Sequence, residues 1–534
     1  MGSNEMTRTI SSELVRASLR EGREIALIDL REEGPFSRAH PLFAVSIPLS
    51  RLDLDINRLV PRGDAPIAVY DDGEGYVARA LPLLAALGYG NVASLEGGLA
   101  GWRESGGEIF IDVNVPSKAF GELVEHERQT PSLPAEELEK RIAEGENIVI
   151  LDARRFSEYE VMSIPGGRSV PGGDLAYRAR DNAPSPDTTI VVNCAGRTRS
   201  IIGAQSLVNA ALPNPVYALR NGTIGWTLAG FDVARGQHAA GAPASADHVA
   251  LARKRAEELA EATGVRTLTP AEFLALQADR TRTLYRLDVR LPEEYAAGHL
   301  QGFASAPGGQ LIQATDEWIA VRHGTIVLSD DDGVRARMAG HWLRQLGWNE
   351  VYVLVEWGDL EQATKAGASD VWPGFSSPSI RAVSPQSYAD EAQKPLLVDL
   401  ATTPIYRKGH IPGAVFATRA ELATQLKARE IRRIVLTSPD GRLAALAAPE
   451  LAALGIDVRV LQGGTEAWRA EGFTLEAGLD EARALTSTDD VYKRPYEGTD
   501  NGSAAMQAYL DWEFGLIAQL ERDGTHNFRV LGPI

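Results

Sequence analysis

The sequence predicts an α/β fold: four tandem units, each a parallel sheet flanked by helices, followed by a C-terminal helical tail. Three observations carry this reading. Short β-branched runs ending in Asp alternate with helix-like stretches. A Gly-rich turn running into a tryptophan closes most of the units. The pattern recurs four times along 534 residues, a length that suits about three to five domains.

The first strand signal of each unit is Ile25–Arg31, Ile148–Arg154, Leu284–Arg290 and Leu396–Ala401. The first three end in Asp-x-Arg (Asp29/Arg31, Asp152/Arg154, Asp288/Arg290), whereas the fourth keeps Asp399 and has Ala401 in place of the arginine. A turn follows, as Ala39-His40-Pro41, Ser163–Gly166, Gly298–Gly302 and Gly409–Ala414. His299 and His410 are read as turn-stabilising, because they recur in units that lack a nucleophile. A second strand then leads into a loop, a helix and a third strand. The units close on Glu96–Trp102, Arg220–Trp226 and Gln462–Trp468, with a looser version at Glu356–Leu360.

These signals place the units at 7–115, 130–236, 265–372 and 380–475. Residues 103–130 read as a connection, 245–264 as a linker helix with a solvated charged face, and Trp372–Pro378 as the separator of the last two units. The extension 476–534 has no repeat signature. One amphipathic helix is expected over 504–517, its aromatics packing on a repeat or on a second subunit, which leaves a homodimer open.

The second unit holds the one cysteine of the chain, Cys194. Thr189–Val192 reads as a buried strand, and Ser200–Val208 as a helix with Ile201, Ala204, Leu207 and Val208 on one face. Cys194 therefore falls at the carboxyl end of a strand, where ligands bind in open α/β sheets. Loop N–H groups there form a concave anion site, and Arg197 and Arg199 add two permanent charges. That setting is expected to lower a thiol pKa from its usual value of roughly 8.5 and to make the sulfur a nucleophile. A buried structural cysteine is the bland alternative; the paired arginines speak against it.

The loop from Cys194 to Arg199 resembles the active-site loop of the rhodaneses, the sulfurtransferase family, and the Asp-x-Arg, Gly-His-Ile-Pro-Gly-Ala and Gly-Gly…Trp signals extend the resemblance over all four units. Phosphatases of related fold carry a loop one residue longer ending in Arg, a place held here by Ser200. The resemblance implies that Cys194 carries sulfur as a persulfide, taking it from a small anionic donor such as thiosulfate. A thiol, cyanide or a protein would accept it. It implies donor contacts from Ala195, Gly196, Arg197, Thr198, Arg199 and Ser200, and no metal or organic cofactor. The matching positions elsewhere are Asp71, Asp330 and Ser438, none of which can carry a persulfide, so three units read as silent. Two departures stand out: Ala195 replaces a basic residue, and Glu158 sits where tandem members tend to have a substrate-binding arginine. The donor thus stays open between thiosulfate, 3-mercaptopyruvate and a low-molecular-weight persulfide. A scaffold with a vestigial Cys194 stays open as the second class.

Composition agrees with a globular protein, 44% apolar and 24% charged. A net charge of −18 and a pI near 5.1 argue against nucleic-acid and anionic-membrane partners. One cysteine excludes an intramolecular disulfide. The absence of a long apolar run or a basic-then-apolar leader predicts a cytoplasmic protein without a membrane span.

Overall fold

The computed structural model describes residues 8–363 and 381–532. The separator Trp372–Pro378 lies outside the described residues. Each repeat folds as a parallel sheet with the same strand order. In the second repeat that order is Ser132–Leu133, Val216–Leu219, Thr189–Asn193, Ile148–Asp152 and Arg168–Ser169. The central strands are buried along almost their whole length, as their near-continuous β-branched runs require when helices cover both faces. The first sheet gains a sixth strand, because Val321–Arg322 of the third repeat pairs antiparallel with Ile25–Ala26. No described helix is long and apolar enough to cross a membrane.

The recurring motifs turn out to be tie points. In the first three repeats the Asp-x-Arg pair is a buried ion pair, at 2.6, 2.7 and 2.7 Å. Each arginine also donates to a carbonyl eight residues on: Ala39, Met162 and Gly298. The strand end is thereby fastened to the turn that follows it. The fourth repeat lacks this arginine, and Asp399 Oδ2 is buried without a hydrogen-bond partner. His299 and His410 each stack on the tyrosine four residues before and bond its carbonyl through Nδ1, at 2.8 and 3.0 Å. Trp102, Trp226 and Trp468 each send the indole N–H to a carbonyl six residues on. Trp357 of the looser third copy bonds Ser329 Oγ instead.

The repeats pack in two like pairs. Gly172–Gly173 of the second abuts the equivalent Gly308–Gly309 of the third, where a Cβ on Gly309 would lie 2.8 Å from Gly173 N. In the first and fourth, Arg419 holds Asp53 at 2.7 Å and Ala420 N–H donates to Ser50 Oγ. The linker helix runs Ala246–Thr263, burying Ala256, Leu259 and Ala260.

Three local expectations need correction. The connection 103–130 contains a helix, Val115–Arg128, whose Phe120 and Lys118 are almost fully buried. The tail helix is two helices, Ser503–Phe514 and Leu516–Asp523, broken at Gly515. The helix after Cys194 is Thr198–Asn209 and is buried on nearly every side, with Val208 its exposed residue. It is wrapped by the connecting helix and the third repeat as well as by its own sheet.

Replacing one member of a buried ion pair leaves an uncompensated charge, at a cost of about 3–5 kcal/mol. Arg31→Leu is expected to lose stability on that scale in urea unfolding. The double variant Asp29→Leu/Arg31→Leu is expected to recover most of it. Equal losses in both would show that the arginine acts through packing alone.

Candidate active site

Cys194 follows directly on the central strand Thr189–Asn193. Asn193 anchors the approach, its side-chain amide donating to Asp152 Oδ2 at 2.8 Å. The loop is then pinned to the Gly-rich turn before Trp226. Cys194 O accepts from Thr223 N at 2.8 Å and from its hydroxyl at 3.0 Å, and Ala195 O accepts from Ile224 N at 2.9 Å. That close approach explains the glycine. Gly222 has φ 54°, and a Cβ there would lie 2.4 Å from Cys194 O.

Cys194 is 2% exposed. Its thiol bonds Ser200 Oγ at 3.5 Å, while that hydroxyl donates to Arg197 O at 2.8 Å. The Ser200 backbone N–H also points at the sulfur. Burial pushes the thiol pKa up, and Arg199, Ser200 and Arg154 only partly oppose it. The expected lowering is therefore not found at this buried thiol. The loop donors are in place, but water is excluded and the arginines are engaged elsewhere.

Neither arginine presents a free guanidinium. Arg197 forks onto Glu122 at 2.7 and 2.8 Å, also pairs with Glu125, donates to Asn221 Oδ1 and lies over the Phe514 ring at 4.3 Å. Arg199 makes a bidentate pair with Glu158 at 2.7 and 2.8 Å. Burial pushes the Glu158 carboxyl up, but Arg199 outweighs it and holds the group at about 2. Of the two cations, Arg199 is the one that acts electrostatically on the thiol. The equivalent pair recurs in the third repeat, where the loop begins with Asp330 and Arg335 bonds Glu294. Glu158 was legible as a departure; Glu122 and Glu125 lie on the helix that was read as a connection.

Superposing the four loops by position gives one rule. In the first, third and fourth repeats the side chain of the first loop residue accepts the backbone N–H six residues on, Val77 onto Asp71 at 3.1 Å, Ala336 onto Asp330 at 2.9 Å and Ala444 onto Ser438 at 3.3 Å, and in the second the equivalent Ser200 N–H faces the Cys194 thiol and favours its ionised form. Asp71 and Asp330 each take a second loop N–H, from Gly73 and Gly333. The acidic loops thus fill their own N–H cradles with a side-chain carboxyl group. In the third repeat, burial and the neighbouring Asp332 push Asp330 up to about 8.

The C-terminal extension closes over the loop. Tyr496, Met506, Tyr509 and Leu510 pack with Ala195 and Ile224, and a Cβ on Gly196 would lie 3.2 Å from the Tyr509 ring. The aromatics of the extension therefore pack on a repeat, as one of the two sequence readings expects. Among the described residues no cluster of His, Cys, Asp and Glu could hold a metal ion.

The raised thiol sets the sign of a pH dependence. A thiol titrating above its ordinary range is scarcely ionised at neutrality, and its thiolate fraction grows about tenfold per pH unit. Alkylation of Cys194 by dilute iodoacetamide should climb steadily from about pH 7 to about pH 9. A plateau near neutrality would show that the loop holds a thiolate after all.

The model of the rhodanese-like domain matches residues 11–105, 134–229, 269–356 and 384–471. A thiosulfate sulfurtransferase of Pseudomonas aeruginosa is 29% identical over 177 residues, 29% of this chain and 63% of that protein. One of Azotobacter vinelandii is 25% identical over 232 residues, 36% of this chain and 83% of that protein. The crystal structure of a thiosulfate sulfurtransferase from Pseudomonas aeruginosa superposes with a TM-score of 0.94 at 50% identity, covering 98% of this chain and 100% of that one. Four matched repeats, four sheets of one topology and one loop built around a cysteine lead to one statement of kinship: the chain belongs to the rhodanese-like domain family.

Proposed function

We propose that the chain is a sulfurtransferase whose second repeat carries sulfur on Cys194, with thiosulfate as donor. The supporting observation is the comparison of the four loops. All four aim the same helix N–H at the first loop side chain, and in the second repeat alone that side chain is a thiol. The names of the Pseudomonas and Azotobacter relatives favour thiosulfate among the anionic donors.

In this reading the Cys194 thiol first loses its proton to solvent. The thiolate attacks the outer sulfur of thiosulfate, a sulfur–sulfur bond forms, and the bond to the sulfonate sulfur breaks with its electron pair leaving on sulfite. Cyanide, a thiol or a protein acceptor then takes the outer sulfur and returns the thiolate. Ala195, Gly196, Arg197, Thr198, Arg199 and Ser200 line the donor site in this scheme, with unequal parts. Arg199 meets the charge on sulfur, shared with Glu158. Arg197, held between Glu122, Glu125 and Asn221, sets the shape of the loop.

A thiosulfate–cyanide assay tests the scheme. Cys194→Ser is expected to abolish thiocyanate formation and the cyanide-labile addition of one sulfur to the protein. Arg199→Ala is expected to lower kcat/KM about ten- to a hundredfold, the value of a lost charge-assisted contact of about 1.5–3 kcal/mol. Glu158→Gln frees the guanidinium and should lower KM for thiosulfate. Turnover surviving in Cys194→Ser would leave the scaffold reading.

A further inference from the structure

The geometry points to a lid: the strap from Tyr492 to Phe514 closes the Cys194 site and must lift before donor or acceptor reaches the sulfur. This rests on Cys194 being the sulfur carrier, and goes beyond it by assigning the C-terminal extension a part in every turnover.

The cover is intimate. Cys194 and Ala195 are each 2% exposed, and the residues of the strap that pack with Ala195 are Tyr496, Met506, Tyr509 and Leu510. Tyr496 packs in one apolar cluster with Ala195 and meets the Tyr509 ring edge-on at 5.2 Å. Phe514 lies over Arg197 at 4.3 Å although the residue is 54% exposed. A site sealed this way cannot admit an anion the size of thiosulfate without movement.

The strap is also built to move as a unit. It is fastened upstream by Tyr492, whose hydroxyl donates to Asp112 at 2.9 Å, and by the pair of Arg494 with Glu33. Downstream, Leu516 and Leu520 are buried in the main core. Between these anchors, glycines punctuate the strap: Gly498 with φ 74°, Gly502 before the helix Ser503–Phe514, and Gly515 after it. The closed contact is not fully satisfied. Glu513 Oε2 and Trp512 Nε1 are buried without hydrogen-bond partners, and Glu513 keeps one bond, from the Tyr509 hydroxyl at 2.8 Å. Two orphaned polar atoms in one contact penalise closure and are rehydrated on lifting, which keeps the equilibrium within reach of opening.

The single cysteine is its own reporter. In the full-length protein, iodoacetamide should modify Cys194 far more slowly than a short cysteine peptide. At high reagent the rate should level off, because lifting becomes limiting. Tyr496→Ala and Leu510→Ala should each raise the rate about tenfold or more while the thermal unfolding midpoint stays close to wild type. Gly502→Ala, where an added Cβ meets nothing, should stiffen the hinge and slow modification. Peptide-like reactivity in the wild type, or equal rates in all three variants, overturns the lid. Because alkylation involves no sulfur transfer, that failure is separable from failure of the carrier reading, which shows instead as turnover in Cys194→Ser.

Discussion

One directed N–H group organises this molecule's chemistry. At each strand-to-helix loop, the amide six residues on is aimed at the first loop side chain. A helix N-terminus leaves such donors without intrahelical partners, so something must satisfy them. A carboxyl group does so in the first and third repeats, a hydroxyl in the fourth and a thiol in the second. Asp71 and Asp330 accept a further loop N–H each, which satisfies two donors with one side chain. The thiol is the poorest acceptor of the set, and its pKa stays high while it is buried and neutral. Ionising it, or placing an anionic sulfur group there, improves the fit to donors already in position.

Charge compensation explains why the arginines are not where a reading of the loop alone puts them. A guanidinium as buried as Arg197 or Arg199 needs a partner on this scale of burial. Glu122, Glu125 and Glu158 supply it from other elements. The same pairing of Arg335 with Glu294 in a repeat without a nucleophile shows that the Arg199–Glu158 geometry is a property of the repeat, and only its proximity to sulfur makes it chemical.

The sequence exposes whatever is local and repeated. The strands, the Asp-x-Arg ends, the histidine turns and the tryptophan turns each depend on residues within about ten positions, so composition and spacing carry them. Cys194 and its two arginines were legible for the same reason. What was not legible is set by distant partners. Arg197 meets Glu122 across 75 residues of chain and Arg199 meets Glu158 across 41. The helix Val115–Arg128 was hidden because its buried positions include Lys118 and Glu122, which break an apolar stripe. Lys118 is tolerated there by an ion pair with nearby Asp112 and by the rings of Tyr496, Tyr509 and Trp512 at 5.1–5.5 Å, which come from the C-terminal extension.

The three repeats without a cysteine are best understood from the helix Thr198–Asn209 outward. In a lone repeat, the side of this helix away from its sheet would meet water. Here Trp342 of the third repeat donates to Ser206 Oγ at 2.9 Å, and a Cβ on Gly121 of the connecting helix would lie 3.0 Å from Thr198. The third repeat is itself joined to the first by the shared sheet, through Val321–Arg322. The first holds the fourth through Asp53 and Arg419. Burial of the helix that begins at the Cys194 loop is therefore a product of the whole assembly. The elements that bury it also bring Glu122 and Glu125 to Arg197, and the extension to Ala195. Repeats that cannot carry sulfur still determine the shape, the charge and the closure of the one loop that has a thiol.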